Sequence, residues 1–478
     1  MTSTSPASSQ VRKTIPIFAE PTIEASRHTR LARLGQAMQK QRRLILGLQW
    51  LVVLSYLLLV SVPAFLPIPP QEAHLYDNLR LFAQFLFWSI WWPFVMLSMM
   101  TVGRVWCGVF CPEGALTEWV SRRGLGRPIP RWMRWSGWPF LAFVCTTVYG
   151  QMVSVYEYPQ AALLVLGGST VAAVIVGFVY GRGKRVWCRY LCPANGVFAL
   201  LSKIAPLHFA VNQAAWKQWP ERSGSVDCAP LLDIAHMKSA SACHSCGRCA
   251  DHRGAVELAG RSPQHEILSL GERDVTREQG YTLLFGMLGI ATAAFLWSSS
   301  RPLAEFKTWA ANWLIEHDHV WLLQDNAPWW LLTHYPEASD VFTWLDGLCL
   351  LGYIIGGGLL LGGVLWLLLQ LARTLAGNAG LSWQRLALGL VPIAGAGIFL
   401  GLSMLTVSHL KAEGWVPAWL GQARAVILAG GLGFSAWLGW RLLAGNGLVR
   451  RVPAFLTYLL ACAVPGTVWY LQFFSAVR

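Results

Sequence analysis

The sequence predicts an all-α, polytopic integral membrane protein, and three observations support this fold class. Hydrophobic residues make up 54% of the 478 residues and charged residues only 13%, a composition too apolar for an ordinary soluble domain. Apolar runs near the ~20 residues that cross a ~30 Å hydrocarbon core recur along the chain. Lysine and arginine are concentrated in alternate connections between these runs. The chain is therefore expected to cross a membrane many times.

The apolar runs set the order of the elements. By length alone they predict about nine transmembrane helices. The run at 341–371 is longer than a bilayer requires, so this helix must tilt, kink or protrude. Its glycines at 356–358 and 362–363 suit close helix packing. The nine runs cover residues 44–66, 81–102, 138–155, 161–180, 280–298, 341–371, 386–407, 425–443 and 453–474.

The N-terminal segment, residues 1–43, opens with Ser, Thr and Pro and becomes basic just before the first apolar run. A cleavable signal peptide would carry its apolar stretch much nearer the N-terminus. We therefore interpret this segment as a partly disordered cytoplasmic tail that leads into an uncleaved helix.

The distribution of basic residues predicts the orientation. With the N-terminus inside, 32 of the 38 lysines and arginines fall on the inner side, as the positive-inside rule requires, and the C-terminus lies outside. The predicted segments are a cytoplasmic tail (1–43), helices with a first cysteine module (44–180), a cytoplasmic segment with further cysteines (181–279), one helix (280–298), an outer loop rich in Trp and His (299–340) and C-terminal helices (341–478).

One cysteine pattern occurs twice, each time just after an apolar run. The copies begin Arg-Val-Trp-Cys at Arg104 and at Arg185, and each continues to a Cys-Pro pair. Two copies indicate a duplicated module of one helix and two thiol ligands. Because the connections that hold them are predicted to be cytoplasmic, where thiols stay reduced, metal ligation is favoured over disulfide bonding. The ligand cysteines are Cys107 and Cys111 in the first copy and Cys188 and Cys192 in the second.

A third cysteine group follows as Cys243, Cys246 and Cys249. The Cys-x2-Cys-x2-Cys spacing and the Cys-x3-Cys-Pro frame are the two parts of the bacterial ferredoxin motif, which holds 4Fe–4S clusters. Arg253 stands where the fourth ferredoxin cysteine is expected, and Cys228 is the candidate that takes its place. Eight cysteines suffice for two clusters. A structural zinc site is the rival interpretation, but it prefers paired Cys-x2-Cys spacing.

The assignment of ligands to clusters leaves an alternative open. We favour one cluster on the four cysteines of the duplicated modules and the other on Cys228, Cys243, Cys246 and Cys249. In the alternative, a Cys-Pro cysteine is exchanged between the clusters, as happens in two-cluster ferredoxins. The three remaining cysteines lie singly within apolar runs and are predicted to be buried packing residues, namely Cys145, Cys349 and Cys462.

Side chains beside the cysteines have two interpretations each. The basic residues either offset the negative charge of a thiolate-bound cluster or anchor the chain at the membrane edge. They are Arg104, Lys184, Arg185 and Arg189. The two tryptophans of the modules either shield a cluster from water or belong to the interfacial aromatic belt.

The outer loop offers a second candidate site. It contains His317 and His319 beside Glu316 and Asp318, and imidazoles with carboxylates suit borderline metals such as copper or iron. The stretch therefore either binds a metal or docks an outer redox partner. An ordinary solvated loop with interfacial tryptophans is the competing interpretation.

Several function classes are disfavoured. The net charge of +14 is spread over short connections without a basic domain, which argues against nucleic-acid binding. No dinucleotide fingerprint, phosphate loop or nucleophile constellation accompanies the cysteines, so an independent enzyme is not expected. A permease needs ionisable residues within its spans, and Asp346 is nearly alone there. A permease accessory subunit and a zinc-stabilised membrane sensor remain as alternatives.

The cysteine pattern over roughly residues 100–255 resembles that of the membrane polyferredoxins, which include NapH, NosR and CcoG-type proteins, and is most similar to the FtrD-type subunits of bacterial ferrous-iron uptake systems. The resemblance implies a multi-pass protein of the bacterial inner membrane that transfers electrons, with redox partners on both faces, among them a metal permease or a periplasmic metalloprotein. Because ~30 Å of hydrocarbon separates cytoplasmic clusters from the periplasm, it also implies a further carrier such as a quinone, flavin or haem.

Overall fold

The computed structural model describes residues 29–70, 72–219, 226–237, 239–377, 381–445 and 447–475. The predicted disorder of the N-terminal tail falls mostly outside these residues. Within them, eight helices are long and apolar enough to cross a membrane, which agrees with the predicted all-α membrane class. They are Arg42–Phe65, Leu79–Thr101, Pro159–Tyr180, Arg277–Ser299, Trp344–Ala376, Val391–Ala412, Leu420–Leu442 and Leu448–Phe474.

The remaining apolar run that the sequence predicted to span forms the helix Trp138–Met152, which has 15 residues and a length of roughly 22 Å. Near its start, Ser136 donates a hydrogen bond to Glu278, which lies at the start of the span Arg277–Ser299. At its end, the Met152 carbonyl accepts from the backbone nitrogen of Thr333. This helix therefore joins the two ends of the bundle, although it is shorter than the eight spans.

The first end of the bundle collects the connections that carry the cysteines. Here the strand Leu207–Val211 pairs antiparallel with Val256–Gly260, and Phe209 lies opposite Leu258. The helix Arg30–Lys40 packs on this sheet, where Gly35 lies against Leu258. The short helices of this end are Pro112–Ser121, Val186–Tyr190, Asn195–Leu201, Gln213–Gln218, His265–Ser269 and Trp383–Leu388.

The second end holds the other connections. The predicted outer loop contains the helix Arg301–Glu316 and a short hairpin in which His334–Tyr335 pairs with Asp340–Val341. Tyr158 stacks on Tyr335 with ring centroids 3.6 Å apart and donates to the carboxylate of Asp340 across 2.8 Å. This segment thus contains regular secondary structure.

Glycines bring the long helix Trp344–Ala376 close to its neighbour Arg277–Ser299. A Cβ at Gly289 would lie 2.5 Å from the Gly358 carbonyl, and one at Gly362 would lie 2.4 Å from the Phe285 ring. The predicted role of the glycine run in packing is confirmed at these positions. Gly356 and Gly363 face open space instead.

Two expectations about the apolar runs need correction. Cys145 is exposed on the surface of the protein, although Cys349 and Cys462 are buried as predicted. Asp346, which was expected within a span, lies in the first turn of the helix Trp344–Ala376. It caps the start of this helix through Thr343 and forms an ion pair with Lys307 at 2.8 Å.

Candidate metal centre

Both cysteine modules use the same backbone turn. In the first module the Cys111 nitrogen donates to the Trp106 carbonyl at 2.8 Å, and in the second the Cys192 nitrogen donates to the Trp187 carbonyl at 3.0 Å. Each bond spans five residues, which is the wide π-type turn that is frequent at functional sites. The proline after each second cysteine cannot continue this hydrogen bonding, so the chain turns there. The duplication seen in the sequence is therefore also a structural repeat.

The cysteine that ends the first module caps the helix that follows it. The Gly114 nitrogen donates to the Cys111 sulfur at 3.4 Å, and Pro112 occupies the first helical position of Pro112–Ser121. Proline suits this position because its missing N–H has no intrahelical acceptor there. A thiolate at a helix N-terminus also benefits from the helix dipole.

The four cysteines of the modules lie near one another, and we call them the membrane-edge site: Cys107, Cys111, Cys188 and Cys192. Burial raises the pKa of Cys111, and repulsion from Cys188 and Cys107 raises it further. Burial also raises the pKa of Cys192, with contributions from Glu113 and the other three cysteines. Like-charge repulsion of this kind acts over short distances. The two modules, more than eighty residues apart in sequence, thus supply one group of four thiols.

The other four cysteines form a second group, here called the loop site: Cys228, Cys243, Cys246 and Cys249. All four line one small cavity of about 20 Å³. Burial raises the pKa of Cys243 to about 12, and repulsion from Cys246 and Cys228 adds to this effect. The Ser245 nitrogen donates to the Cys243 sulfur at 3.4 Å. The structure therefore brings Cys228 to the ferredoxin-type run.

A buried carboxylate holds the loop that precedes Cys243. Glu266 is 1% exposed, accepts from the Ala240 nitrogen at 3.0 Å and pairs with Lys203 at 3.3 Å. Arg261 also contacts it. Such a buried, fully bonded carboxylate fixes the backbone, because water cannot replace its partners. The start of the cysteine run is thereby anchored to the strand pair beneath it.

The residues present fit iron–sulfur clusters. Each site offers four thiols. Burial raises the pKa of three thiols in each site and so favours their neutral form unless a cation stabilises the thiolates; these are Cys111, Cys188 and Cys192 in one site and Cys228, Cys243 and Cys249 in the other. His244 lines the loop-site cavity, and its Nδ1 is buried without a hydrogen-bond partner in the described chain.

The two sites are in direct backbone contact. A Cβ at Gly108, which lies between the cysteines of the first module, would be 2.1 Å from the His244 carbonyl oxygen and 2.9 Å from the Cys246 Cα. Only glycine permits this approach. Gln49 also donates to the Gly108 carbonyl at 2.9 Å. The membrane-edge site and the loop site therefore lie side by side at the same end of the bundle.

The first arginine of each module lies between the two sites. Arg104 is 3% exposed and Arg185 is 1% exposed, so neither anchors the chain in lipid headgroups. Arg104 donates to the Cys107 sulfur at 3.7 Å and contacts His244 Nε2 at 3.4 Å. Arg185 donates a hydrogen bond to the Cys107 carbonyl and lies close enough to Cys246 to interact with a thiolate there. Both guanidinium groups can offset the charge of thiolate-bound clusters.

Glu118, which the sequence analysis did not identify, connects these elements. Glu118 lies on the helix after the first module and is 3% exposed. It accepts from Arg185 at 2.9 Å, from Arg122 at 3.4 Å and from Arg248. Burial raises the pKa of Glu118, but Arg185 and Arg248 outweigh it and lower the pKa to about 2. Only the surplus of arginines near the cysteines could have signalled such a partner.

The tryptophans of the modules are buried rather than interfacial. Trp106 is 9% exposed and stacks on Phe110 with centroids 5.7 Å apart. Trp187 is 8% exposed and donates to the Glu113 carboxylate at 3.1 Å. Each ring packs in the same apolar cluster as the cysteines of its module, which supports the shielding interpretation.

In the structure, the outer candidate site lies away from both cysteine sites. His317 stacks on Trp313 at 4.2 Å, and its Nδ1 lies 2.8 Å from the Trp313 carbonyl. His319 lies 6.2 Å from the same ring. Both are exposed, so they are open to a partner protein. Their role stays a prediction.

The comparison with known families agrees with the cysteine geometry. The family model described as "4Fe-4S binding domain" matches residues 84–132 and again residues 163–211. The chain thus carries two 4Fe–4S binding segments. Each contains one cysteine module with the helix that precedes it, as expected for a polyferredoxin-type iron–sulfur protein. The loop-site cysteines lie beyond both matches. No curated protein and no solved structure matches the chain.

Proposed function

We propose that the protein is a membrane electron-transfer subunit that holds one 4Fe–4S cluster at the membrane-edge site and one at the loop site. The contact of Gly108 with Cys246 carries this proposal, because it places two four-thiol groups beside each other. Clusters at these positions would supply the one-electron chemistry. The protein's residues position them, exclude water and tune their potentials through hydrogen bonds and charge.

The chain is further proposed to cross the bacterial inner membrane nine times, with the cysteine end in the cytoplasm. The Lys and Arg distribution supports this orientation. The helix Trp138–Met152, which joins the two ends of the bundle, supports nine crossings rather than eight. Electrons would pass from a cytoplasmic donor to a membrane or periplasmic acceptor. A role in iron or copper uptake, like that of FtrD-type proteins, and the docking of the acceptor at His317 and His319 extend this proposal.

The function is tested in proteoliposomes that enclose ferricyanide, with dithionite as the external electron donor. We expect ferricyanide reduction that depends on the protein and is lost in Cys107→Ala, which removes a ligand of the membrane-edge site. Cys145→Ala is the matched control, because Cys145 is an exposed single cysteine. Equal rates for Cys107→Ala and the parent protein would show that electrons do not pass through this site.

A further inference from the structure

The helix Arg301–Glu316 has an aromatic face that the rest of the protein leaves uncovered. Phe306, Trp309 and Trp313 recur at intervals of three and four residues, so they lie on one side of the helix. Their exposed fractions are 53%, 61% and 43%. A helix with bulky apolar residues on one side and polar residues on the other is typical of a membrane interface. The polar side carries Arg301, Glu305, Thr308, Asn312 and Glu316.

The position of this helix in the chain agrees with an interfacial location. The span Arg277–Ser299 ends just before it, and the Ser300 side chain caps its start by accepting from the Leu303 nitrogen at 3.4 Å. Several exposed tryptophans lie at the same end of the bundle, as in the aromatic belt at the level of the lipid headgroups. They include Trp309, Trp313, Trp321, Trp330, Trp415 and Trp419. The helix therefore begins at the depth of the headgroups.

A groove separates this helix from the first turns of the span Trp344–Ala376. Its volume is about 490 Å³, within the ~300–1,000 Å³ of ordinary ligand pockets. The ion pair of Lys307 with Asp346, at 2.8 Å, joins the two helices beside it. A Cβ at Gly352 would meet no atom within 4 Å, so the groove is open there. Its apolar walls include Leu303, Phe306, Ala310, Leu345, Leu348 and Gly352.

The surroundings of the groove indicate which ligand fills it. On the span Trp344–Ala376 the groove continues into an apolar surface, where Leu348, Ile355 and Leu359 are 53%, 42% and 59% exposed. On a transmembrane helix such a surface faces acyl chains. None of the described lining residues is charged, so the groove does not suit a lipid headgroup or a polar molecule. An acyl chain that enters from the lipid-facing surface supplies the packing contacts that an empty groove would lack.

We propose that the helix Arg301–Glu316 lies in the headgroup layer of the membrane and that the groove beside it binds one acyl chain of a phospholipid. The aromatic face then points towards the acyl region and the polar face towards water. This inference rests on the membrane location of the chain and requires no cluster. His317 stacks on Trp313 at the end of this helix, so a partner that docks at His317 approaches along the headgroups.

Photolabelling tests the groove in the full-length protein reconstituted into nanodiscs. A phosphatidylethanolamine with a diazirine at the end of one acyl chain should label Leu303 and Cys349, which line the groove. Labelling of Leu359, which is exposed outside the groove, serves as the internal reference. Absence of label from both groove residues in the parent protein would overturn the acyl-chain site.

A filled groove provides the second readout. Gly352→Leu should lower the labelling of Leu303 and Cys349 roughly tenfold relative to Leu359, because its side chain occupies the space of the acyl chain. Gly363→Leu is the matched control, since Gly363 lies on the same helix and also faces open space, and it should leave the labelling unchanged. Parent-like labelling in Gly352→Leu would contradict the proposal.

Thiol reactivity tests the orientation of the helix. Phe306 and Thr308 are both exposed and lie on nearly opposite sides of the helix, so the protein alone hinders neither position. In a Cys145→Ser background in nanodiscs, Thr308→Cys should react with an impermeant maleimide roughly tenfold faster than Phe306→Cys, which the lipid covers. Equal rates would overturn the interfacial placement.

Iron and sulfide content of the same samples separates this inference from the proposed electron-transfer function. Clusters without labelling of the groove residues would refute the acyl-chain site alone. Labelling without clusters would refute the electron-transfer function alone. Gly352→Leu should keep the parent's iron content, because its Cβ meets no atom of the protein within 4 Å, and this result also confirms that the variant folds.

Discussion

Arg185 of the second cysteine module donates to Glu118, which follows the first module, across 2.9 Å, and both side chains are buried. Arg248 of the ferredoxin-type run binds the same carboxylate. One glutamate thus joins three segments that carry cysteines of both sites. Removing one member of a buried ion pair leaves uncompensated charge, which costs about 3 to 5 kcal/mol.

Glu118→Gln should therefore lower the free energy of unfolding by about 3 kcal/mol. The folded-state pKa of Glu118, about 2, lies below that of an unfolded glutamate, ~4.3. Its contribution is thus fully present above the unfolded pKa and is lost as the pH falls towards 2. The loss in Glu118→Gln should consequently be the same at pH 6 and pH 8 in denaturant unfolding. Glu316→Gln, at an exposed position, is the control. Equal stability of both variants would contradict a stabilising role for the buried ion pairs of Glu118.

Cys228→Ala should remove about half of the iron, because Cys228 completes the loop site. One of two reduced paramagnetic signals should disappear, and the signal of the membrane-edge site should persist. Cys145→Ala should retain all the iron. A Cys228→Ala protein with full iron content and both signals would rule out Cys228 as a ligand and favour an exchanged cysteine.

The orientation can be tested with single introduced cysteines and an impermeant thiol reagent. Gly124 is unsuitable as a labelling position, because its Cβ would lie 2.6 Å from the Phe178 and Gly181 carbonyl oxygens. Arg123 and Ser299 are exposed instead. In a Cys145→Ser background, Arg123→Cys should react only from the inside and Ser299→Cys only from the outside. Labelling of both from one side would overturn the topology.

Replacement of His317 and His319 by alanine should leave the iron–sulfur signals unchanged and slow electron delivery to the outer partner. Imidazoles suit the contact with a copper or iron protein, and both are exposed. His236→Ala, an exposed histidine in the loop-site segment, is the control. Delivery in vesicles at the parent rate would show that the outer route lies elsewhere.

Much of the fold, and the grouping of the cysteines, could be predicted because both depend on patterns that are local in sequence. The first apolar run, 44–66, corresponds to the span Arg42–Phe65, since length and hydropathy define such a helix. The grouping of Cys228 with the ferredoxin-type run was also expected. The exposure of Cys145 was missed, because a helix that is apolar all round gives no sign of which face packs inside.

Contacts between distant segments could not be predicted from the sequence. Gly108 meets Cys246, and Glu118 meets Arg185 and Arg248, through the packing of loops that no period or spacing relates. Without these contacts the two sites could be enumerated but not placed side by side. The groove beside the helix Arg301–Glu316 was likewise hidden, since its two walls meet only in the folded chain.

The presence of two clusters is tested most directly by the metal and sulfide content of anaerobically purified protein together with its electron paramagnetic resonance spectrum after reduction. Two four-thiol sites that each hold one 4Fe–4S cluster should give about eight iron and eight acid-labile sulfide per chain. Because Gly108 places the two sites in contact, the two reduced clusters should also show magnetic interaction. Zinc in place of iron, or about four iron per chain with a single isolated signal, would contradict the presence of two clusters.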